Sequence, residues 1–394
     1  MPNKREQQQT RLNVPALRFP EFKGEWKTYA IGEILSIGSG RDYKQLELGD
    51  TPVFGTGGLM TRVNQCLMEG ESVFIGRKGT INRPFYYCGK FWTVDTLFYT
   101  HSFINVIPKF VLYLFETIDW LKYNEASGVP SLSKSTIEKI IVKLPSIAEQ
   151  TKIARLLTIL DDRIATQRKI IEDLKKLRST IGEKLFCSPK DKQPKARLHG
   201  FSDVWHYVRL SDICDRIRIK NIGEQCKRVL TIAAQYGLVS QEEFFHKNVA
   251  SENLSNYYLL KKGDFAYNKS YSGDYAWGAV KRLDNYEQGV LSPLYICFHP
   301  NSDKVDSDFL VYYFESKKWH KAVADIAGEG ARNHGLLNIS IMDYFNTIHC
   351  IPSMKEQKQI AMIMNALSLK ATHEQHLLNC YIAQRQYLLQ QLFI

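Results

Sequence analysis

The sequence predicts an α+β protein of two similar domains with curved mixed sheets, each followed by a long helix. The two helices are expected to pair as an antiparallel coiled coil, which would relate the halves by a pseudo-two-fold axis. Three observations support this fold class: an internal repeat, short strand patterns separated by Gly and Pro turns, and a heptad pattern after each domain. The binding partner of the protein is therefore expected to have two parts, one for each domain.

The internal repeat covers both ends of each half. The segment Arg18–Trp26 returns as Arg197–Trp205, and Leu144–Gln150 returns as Ile351–Gln357. This spacing is too long for a solenoid unit, so it indicates two similar domains. The sequence offset between corresponding residues of the two copies increases along the chain. The matching segments therefore form a frame that recurs in both halves, whereas the stretches between these segments differ. A fixed scaffold with variable loops usually carries binding specificity.

The repeat also gives the predicted division of the chain. Alternating β-branched and aromatic residues predict strands such as Ser72–Ile75, Trp92–Thr100 and Val290–Phe298. A polar stretch with two prolines separates the halves and is typical of a linker. The predicted parts are an arm (1–17), a first domain (18–144), a first helix (145–186), a linker (187–196), a second domain (197–351) and a second helix (352–394).

Each predicted long helix carries apolar residues at alternating spacings of three and four, which indicates a coiled-coil seam. Polar residues interrupt both seams, at Gln167 and Arg178 and at Glu374 and Arg385, where they could fix the register. The apolar seam positions are Ile153, Leu157, Leu160, Ile164, Ile171, Leu174, Ile181 and Leu185, then Ile360, Met364, Leu367, Ala371, Leu378, Tyr381, Leu388 and Leu392.

The two helices are expected to pair with each other, because both belong to one chain and each leads away from its domain. Such a rod would be about 54 Å long, at about 1.5 Å per residue. The alternative is that they are ordinary packing helices.

The charge balance favours a polyanionic partner. The 394 residues include 52 Lys and Arg against 41 Asp and Glu, a net charge of +11. Such an excess steers polyanions and releases their counterions, although it could also serve solubility alone. The polar N-terminus is not a signal peptide, and no apolar run approaches membrane-spanning length, so we expect a cytoplasmic protein. The eight cysteines form no Cys-x-x-Cys pair, which predicts scattered buried thiols and no metal site.

The opening Arg-Phe-Pro-Glu-Phe motif with Trp26, the Leu144–Gln150 entry into a helix and the recurrence of both resemble the specificity subunit of type I restriction–modification systems. The resemblance covers nearly the whole chain. One departure is the polar stretch Thr372–His376, which makes the second helix a weaker coiled coil than the first.

The resemblance implies two target recognition domains, each reading one half of a split sequence in double-stranded DNA. The helices would separate the two readers by more than a duplex turn of about 34 Å. They would also dock two methyltransferase subunits, which restriction and translocase subunits then join. Adenosylmethionine, ATP and magnesium are expected in those partner subunits, and no cofactor is expected in this chain.

Catalytic motifs are present only as near misses. Phe54–Gly58 differs from an adenosylmethionine loop at Thr56, and Asn82–Phe85 differs from an adenine-holding motif at Arg83. A turn and a strand boundary explain both better. A nuclease reading of Arg332–His334 is weak, because a single histidine has no partner carboxylates nearby. No phosphate-binding Gly-x-x-x-x-Gly-Lys-Ser/Thr motif occurs. We therefore expect no catalytic residues.

The candidate DNA-binding residues lie in loops that contain cations, hydroxyls and glycines. Arg, Lys, Asn and Gln read base edges, whereas cations, hydroxyls and backbone amides hold phosphates. An ordinary solvated charge is the alternative for each single residue. The candidates are Arg41, Tyr43, Lys44, Gly57, Arg77, Lys78, Thr80 and Arg83 in the first domain, and Lys220, Lys227, Arg228, Lys269, Ser270, Tyr271, Tyr275, Arg332 and Asn333 in the second.

Two functions compete with DNA recognition. One is a stand-alone methyltransferase or nuclease with degenerate motifs. The other is a structural coiled-coil adaptor whose domains bind protein. Chemistry performed by the purified chain alone would support the first, and a failure to bind a split DNA sequence would support the second.

Overall fold

The computed structural model describes residues 13–191, 193–233, 237–245, 253–270, 275–327 and 335–394. Their contacts divide the chain into two compact units. Unit 1 comprises the described residues up to Lys169 together with His376–Ile394, and unit 2 comprises those of Ile170–Gln375. Each long helix therefore contributes one part of its length to each unit.

Unit 1 is built around a mixed six-stranded sheet with the strand order β2-β7-β5-β6-β3-β4, in which only the β3–β6 pairing is parallel. A separate antiparallel pair joins β1 to β8. The strands are β1 Lys27–Ala30, β2 Ser36–Ser39, β3 Leu48–Gly55, β4 Gly58–Val63, β5 Met68–Gly76, β6 Phe85–Thr93, β7 Leu97–His101 and β8 Ile141–Leu144. The helices are α1 Ile31–Ile34, α2 Pro108–Thr117, a 3-10 turn Trp120–Tyr123, α3 Lys134–Glu138 and α4 Ile147–Leu185.

Unit 2 holds the four-stranded antiparallel sheet β10-β17-β14-β15 and three two-stranded pairs, β11–β12, β13–β16 and β9–β18. The strands are β9 His206–Arg209, β10 Cys214–Arg216, β11 Leu230–Ala233, β12 Gly237–Ser240, β13 Tyr258–Lys261, β14 Phe265–Asn268, β15 Ala279–Arg282, β16 Gln288–Leu291, β17 Ile296–Pro300 and β18 Ile348–Ile351. The helices are α5 Leu210–Ile213, a 3-10 turn Ile222–Glu224, α6 Gln241–Phe245, α7 Ser307–Glu315, α8 His320–Ala324, α9 Ile341–Phe345 and α10 Met354–Leu392.

The predicted α+β class, with a curved mixed sheet and two long helices, is confirmed. Two predicted strands were wrong. Trp92–Thr100 is the end of β6, a turn and the start of β7, and the turn closes where the Leu97 amide donates to Val94. Val290–Phe298 is interrupted in the same way, since the Tyr295 amide donates to Ser292. Both runs are rich in β-branched and aromatic residues, and this strand-like composition outweighs the turn residues inside them, such as Asp95 and Ser292.

The core of each unit lies between its sheet and a short aromatic helix. In unit 1, α2 buries Phe110 and Phe115 against Trp26, and in unit 2, α7 buries Phe309 and Phe314. The matching aromatic segments Phe110–Glu116 and Phe309–Glu315 of the two halves form these helices. Truncating one such buried aromatic residue typically costs about 3–5 kcal/mol of stability.

The long helices pack against each other antiparallel within each unit. In unit 1, the early α4 residues Ile153 and Leu157 share a core with Leu392, near the end of α10. In unit 2, Leu185 near the end of α4 shares a core with Ile360 and Met364, which lie early in α10. The seam is better buried in α4 than in α10, where Leu367, Tyr381 and Leu388 remain half-buried.

The polar seam residues bind more than the facing helix. Arg385 donates to Asp161 of α4 and, at 2.8 Å, to Glu116 of α2. Arg178 makes equivalent contacts in unit 2, donating at 3.1 Å to Ser368 of α10 and lying 3.6 Å from Glu315 of α7. Each arginine thus ties the helix pair to the aromatic helix of its unit. Gln167 and Glu374 are buried, and both have partners.

No helix in the described part of the chain combines the length and the apolar character that a membrane crossing needs.

Candidate DNA interface

The first loop of the unit 1 interface follows β2 and is fastened to the end of β6. The Arg41 amide donates to Thr93 at 2.8 Å, and the Trp92 indole donates to the Arg41 carbonyl at 2.9 Å. Tyr43 packs beside Trp92, so its half-buried ring holds the loop in place. The side chains of Arg41 and Lys44 are left exposed. These two cations are therefore presented by a fixed backbone.

The second loop follows β5. The Arg77 amide donates to Thr96 at 2.8 Å, and its carbonyl accepts from Leu132 at 2.9 Å. Lys78 forms a β-bridge with Ser131 and exposes its side chain. The half-buried Arg77 guanidinium lies 5.9 Å from the Phe98 ring centroid. The Arg77 side chain is therefore partly engaged in contacts within unit 1, whereas the Lys78 side chain is exposed to solvent.

Gly79 gives the second loop its shape. Its φ is +87°, a left-handed conformation that glycine adopts without a steric cost, and its amide donates to Pro130 at 2.9 Å. Beyond it, Thr80 and Arg83 are exposed. The neighbouring β3–β4 hairpin contributes Gly57, around which a β-carbon would find nothing within 4 Å. This open surface lets a large partner approach the backbone closely.

The turn between β6 and β7 brings these loops together, since it bonds to Arg41 through Thr93 and to Arg77 through Thr96. Among the residues that the structure describes, none of the four exposed cations in the two loops takes part in an ion pair. Those cations are Arg41, Lys44, Lys78 and Arg83. The result is a loop edge with free positive charge, suited to a polyanion.

In unit 2, equivalent backbone contacts support the corresponding loop. The Leu337 amide donates to Lys269 at 2.9 Å, and Ser270 forms a bridge with Leu336. Lys269, Ser270 and Tyr275 are all half-buried at the two ends of the β14–β15 loop. As in unit 1, the loop after a central strand is backed by the segment that precedes a short helix. Tyr271, Arg332 and Asn333 lie outside the described residues.

Some basic side chains in the early part of unit 2 are engaged in contacts within the unit, so fewer of them can bind a ligand than the composition indicates. The Lys220 ammonium donates to the Asn256 carbonyl at 2.7 Å and lies 3.8 Å from the Tyr258 ring centroid. The Arg228 guanidinium lies 4.4 Å from the Tyr286 ring centroid but remains exposed. Lys227 is exposed. Lys227 and Arg228 are therefore better placed than Lys220 to reach a ligand.

Sequence reasoning missed the segments that support the loops. The backing segments before α3 and α9 are visible as a match between Gly128–Ser133 and Gly335–Ser340. Both also expose an apolar side chain at equivalent positions, Val129 and Leu336. The repeat was the signal that could have identified these segments as part of the interface.

The near-miss motifs are structural in unit 1. Phe54 is buried against Phe74 and Phe85 in an aromatic cluster, and the glycines after it form the β3–β4 turn. Asn82–Phe85 leads into β6. Across the described ranges, no three His, Cys, Asp or Glu side chains are grouped as metal ligands. Five cysteines are buried as expected, whereas Cys66, Cys88 and Cys380 are exposed.

Comparisons with known proteins agree on one family. Residues 23–176 match the model described as the type I restriction modification DNA specificity domain. The MjaVIII type I restriction enzyme specificity subunit of Methanocaldococcus jannaschii is 27% identical over 276 residues, which are 64% of this chain and 61% of that protein. The match thus spans less than two thirds of that relative's length.

Solved structures give the same fold. The type I restriction–modification S subunit from M. genitalium superposes with a TM-score of 0.63 and 16% identity, covering 97% of this chain and 99% of that one. A structure described as underlying complex assembly and conformational transition of the type I restriction–modification system gives a TM-score of 0.52 at 13% identity, with 92% and 96% covered.

Proposed function

We propose that this chain, whose residues 23–176 match the DNA specificity domain of type I restriction–modification systems, is a specificity subunit that recognises a split DNA sequence, one half-site with each unit. The observation that carries the proposal is the repeated loop edge. In each unit, a loop after a central strand is backed by an equivalent segment, through Arg77 with Leu132 and Lys269 with Leu337. Equivalent supports carrying different side chains are what two half-sites of different sequence require.

The proposed division of labour follows from how each side chain is held. Backbone amides, hydroxyls and cations near fixed glycines hold phosphates, which sets position without reading sequence. Arg and Lys side chains that reach into the major groove read guanine. Lys78 and Arg83 are exposed on a loop whose backbone is fixed at both ends, so they are assigned to the DNA. Tyr43 is assigned to loop support.

The long helices are proposed to separate the readers and to dock two methyltransferase subunits. Both helices expose large apolar side chains away from their seams, a pattern associated with protein interaction sites. These side chains are Ile159, Ile170 and Leu177 on α4 and Met362, Leu369 and Tyr387 on α10. Methyl transfer and DNA cleavage are assigned to the partner subunits, with adenosylmethionine, ATP and magnesium as their cofactors.

The test is binding to DNA by the chain assembled with its methyltransferase subunits. An electrophoretic shift should require both halves of a split sequence, and changing the bases of the gap should leave affinity unchanged. Binding that depends on one contiguous site would overturn the proposal. Incubating the purified chain alone with DNA, magnesium and adenosylmethionine separates the rival function, since methylation or cleavage would identify a stand-alone enzyme.

A further inference from the structure

A cleft of about 770 Å³ lies entirely within unit 2. The second half of α4, the end of α7 and the start of β15 form its walls. Lys175 and Arg178 line it from α4, Lys281 from β15 and Lys317 from the segment after α7. The cleft therefore gathers four basic side chains from three separate parts of the fold.

Only one carboxylate among the lining residues faces these cations. Glu315 lies 3.6 Å from Arg178 and 3.8 Å from Lys281, so it is shared between them. Lys175 and Lys317 are exposed, and neither has an ion pair within the described ranges. The nearby carboxylates of Glu183 and Asp325 pair with Lys318 and Lys321 instead. The cleft is left with an excess of positive charge.

The corresponding region of unit 1 has an excess of carboxylates rather than of cations. There Arg385, the counterpart of Arg178, meets two carboxylates, Glu116 and Asp161. Unit 2 has Ser368 at the position equivalent to Asp161, and Ser368 is uncharged. The counterparts of Lys175 and Lys317 in unit 1 are isoleucines. The shared scaffold thus does not need these lysines, and their charge calls for another role.

One edge of the cleft continues into the candidate interface. Tyr275 and Gly278, at the end of the β14–β15 loop, line the cleft. The other end of that loop begins with Lys269 and Ser270, which are supported as the reading loop of unit 2. A backbone that leaves a half-site held at this loop would therefore pass over the lysines.

We infer that this cleft binds phosphates of the DNA backbone beside the half-site read by unit 2. The inference rests on the proposed function, because it places the DNA at the β14–β15 loop. Lysines act as mobile point charges, so they suit a phosphate backbone whose sequence is not read. The cleft would add affinity without adding specificity, and unit 1 would have no equivalent contact.

The test compares the salt dependence of DNA binding between the wild type and the Lys175→Ala, Lys317→Ala double variant, each assembled with methyltransferase subunits. Each phosphate contact contributes about 0.9 to the slope of log affinity against log salt, so the slope should fall by about 1.8. Affinity for cognate and random duplex should fall by the same factor. The matched control is Lys261→Ala with Lys304→Ala, two exposed lysines that precede β14 and follow β17 and have no ion pair within the described ranges, and it should keep the wild-type slope.

An unchanged slope in the double variant, with sequence-specific binding intact, would overturn the cleft while leaving the proposed function standing. Loss of methyltransferase subunits on a sizing column, with an unchanged DNA slope, would also overturn it by identifying a protein-docking surface. Absence of sequence-specific binding by the wild type would instead remove the proposed function on which the inference rests.

Discussion

Arg18 and Glu149 form a bidentate ion pair that joins the opening of the first domain to the start of its long helix. The Nε and Nη2 atoms of Arg18 each lie 2.7 Å from a carboxylate oxygen of Glu149, whose side chain is only 1% exposed. Arg197 and Glu356 form the same pair in unit 2, at 3.0 and 2.8 Å. The opening motif and the helix-entry motif, which recur in both halves, thus bind each other in each unit.

Replacing Arg18 by Ala should destabilise unit 1 by about 3–5 kcal/mol, because Glu149 would remain buried without its partner. Hydrogen exchange of unit 1 amides measures the change separately from unit 2. The control is Lys152→Ala, which removes an exposed pair with Glu21 and a contact with the Phe19 ring and should destabilise unit 1 much less. Equal effects of the two substitutions would contradict the structural role of Arg18.

Replacing Phe393 by Ala should also destabilise unit 1, by about 3–5 kcal/mol, through the cavity it leaves. The Phe393 ring is buried, with its centroid 5.2 Å from that of Phe110 and 6.3 Å from that of Trp26. The neighbouring Ile394 is 49% exposed, so Ile394→Ala serves as the control. If hydrogen exchange in unit 1 responded to neither change, Phe393 would not belong to the core of unit 1.

Replacing Lys78 and Arg83 by Ala should weaken DNA binding and lower its salt slope by about 1.8, since two exposed cations are lost. A filter-binding titration over several salt concentrations measures both. The exposed Lys90 and Lys122 of unit 1 provide a control pair with the same charge change. A loss of affinity shared equally by variant and control would indicate long-range electrostatics rather than contact.

Unit 2 should lose stability as the pH falls from about 6.5 to about 4. Burial lowers the pKa of His349 from 6.5 to about 4, and its ring bonds to Tyr313 at 2.9 Å and Thr347 at 2.8 Å. Within this window the unfolded chain takes up a proton that the folded one does not, so protonation favours unfolding. The contribution of the neutral His349 ring to the stability of unit 2 is fully present above pH 6.5, and its loss approaches about 3 kcal/mol near pH 4.

The variant His349→Gln removes this titration. Its stability in unit 2, followed by hydrogen exchange at several pH values, should depend less on pH between 4 and 6.5 than that of the wild type. An identical pH dependence in both proteins would show that other groups control the acid response.

The sequence predicted the elements whose pattern is regular and local. The heptads predicted both long helices. The predicted strand Trp92–Thr100 was wrong because its turn, closed by the Leu97 amide donating to Val94, lies inside a run of β-branched and aromatic residues that is typical of a strand. The support of Arg77 by Leu132 was missed because it joins residues far apart in the chain. The charge of the unit 2 cleft was missed for the same reason, since Lys175 and Lys281 come from distant segments.

Methylome sequencing of a host that carries this chain with its methyltransferase subunits tests the central claim most directly. We predict methylation within a split motif of two short half-sites separated by a gap of fixed length and any sequence. Exchanging the β14–β15 loop should then alter one half-site and leave the other unchanged. Methylation at a single contiguous motif, or no sequence-dependent methylation, would contradict recognition of one half-site by each unit.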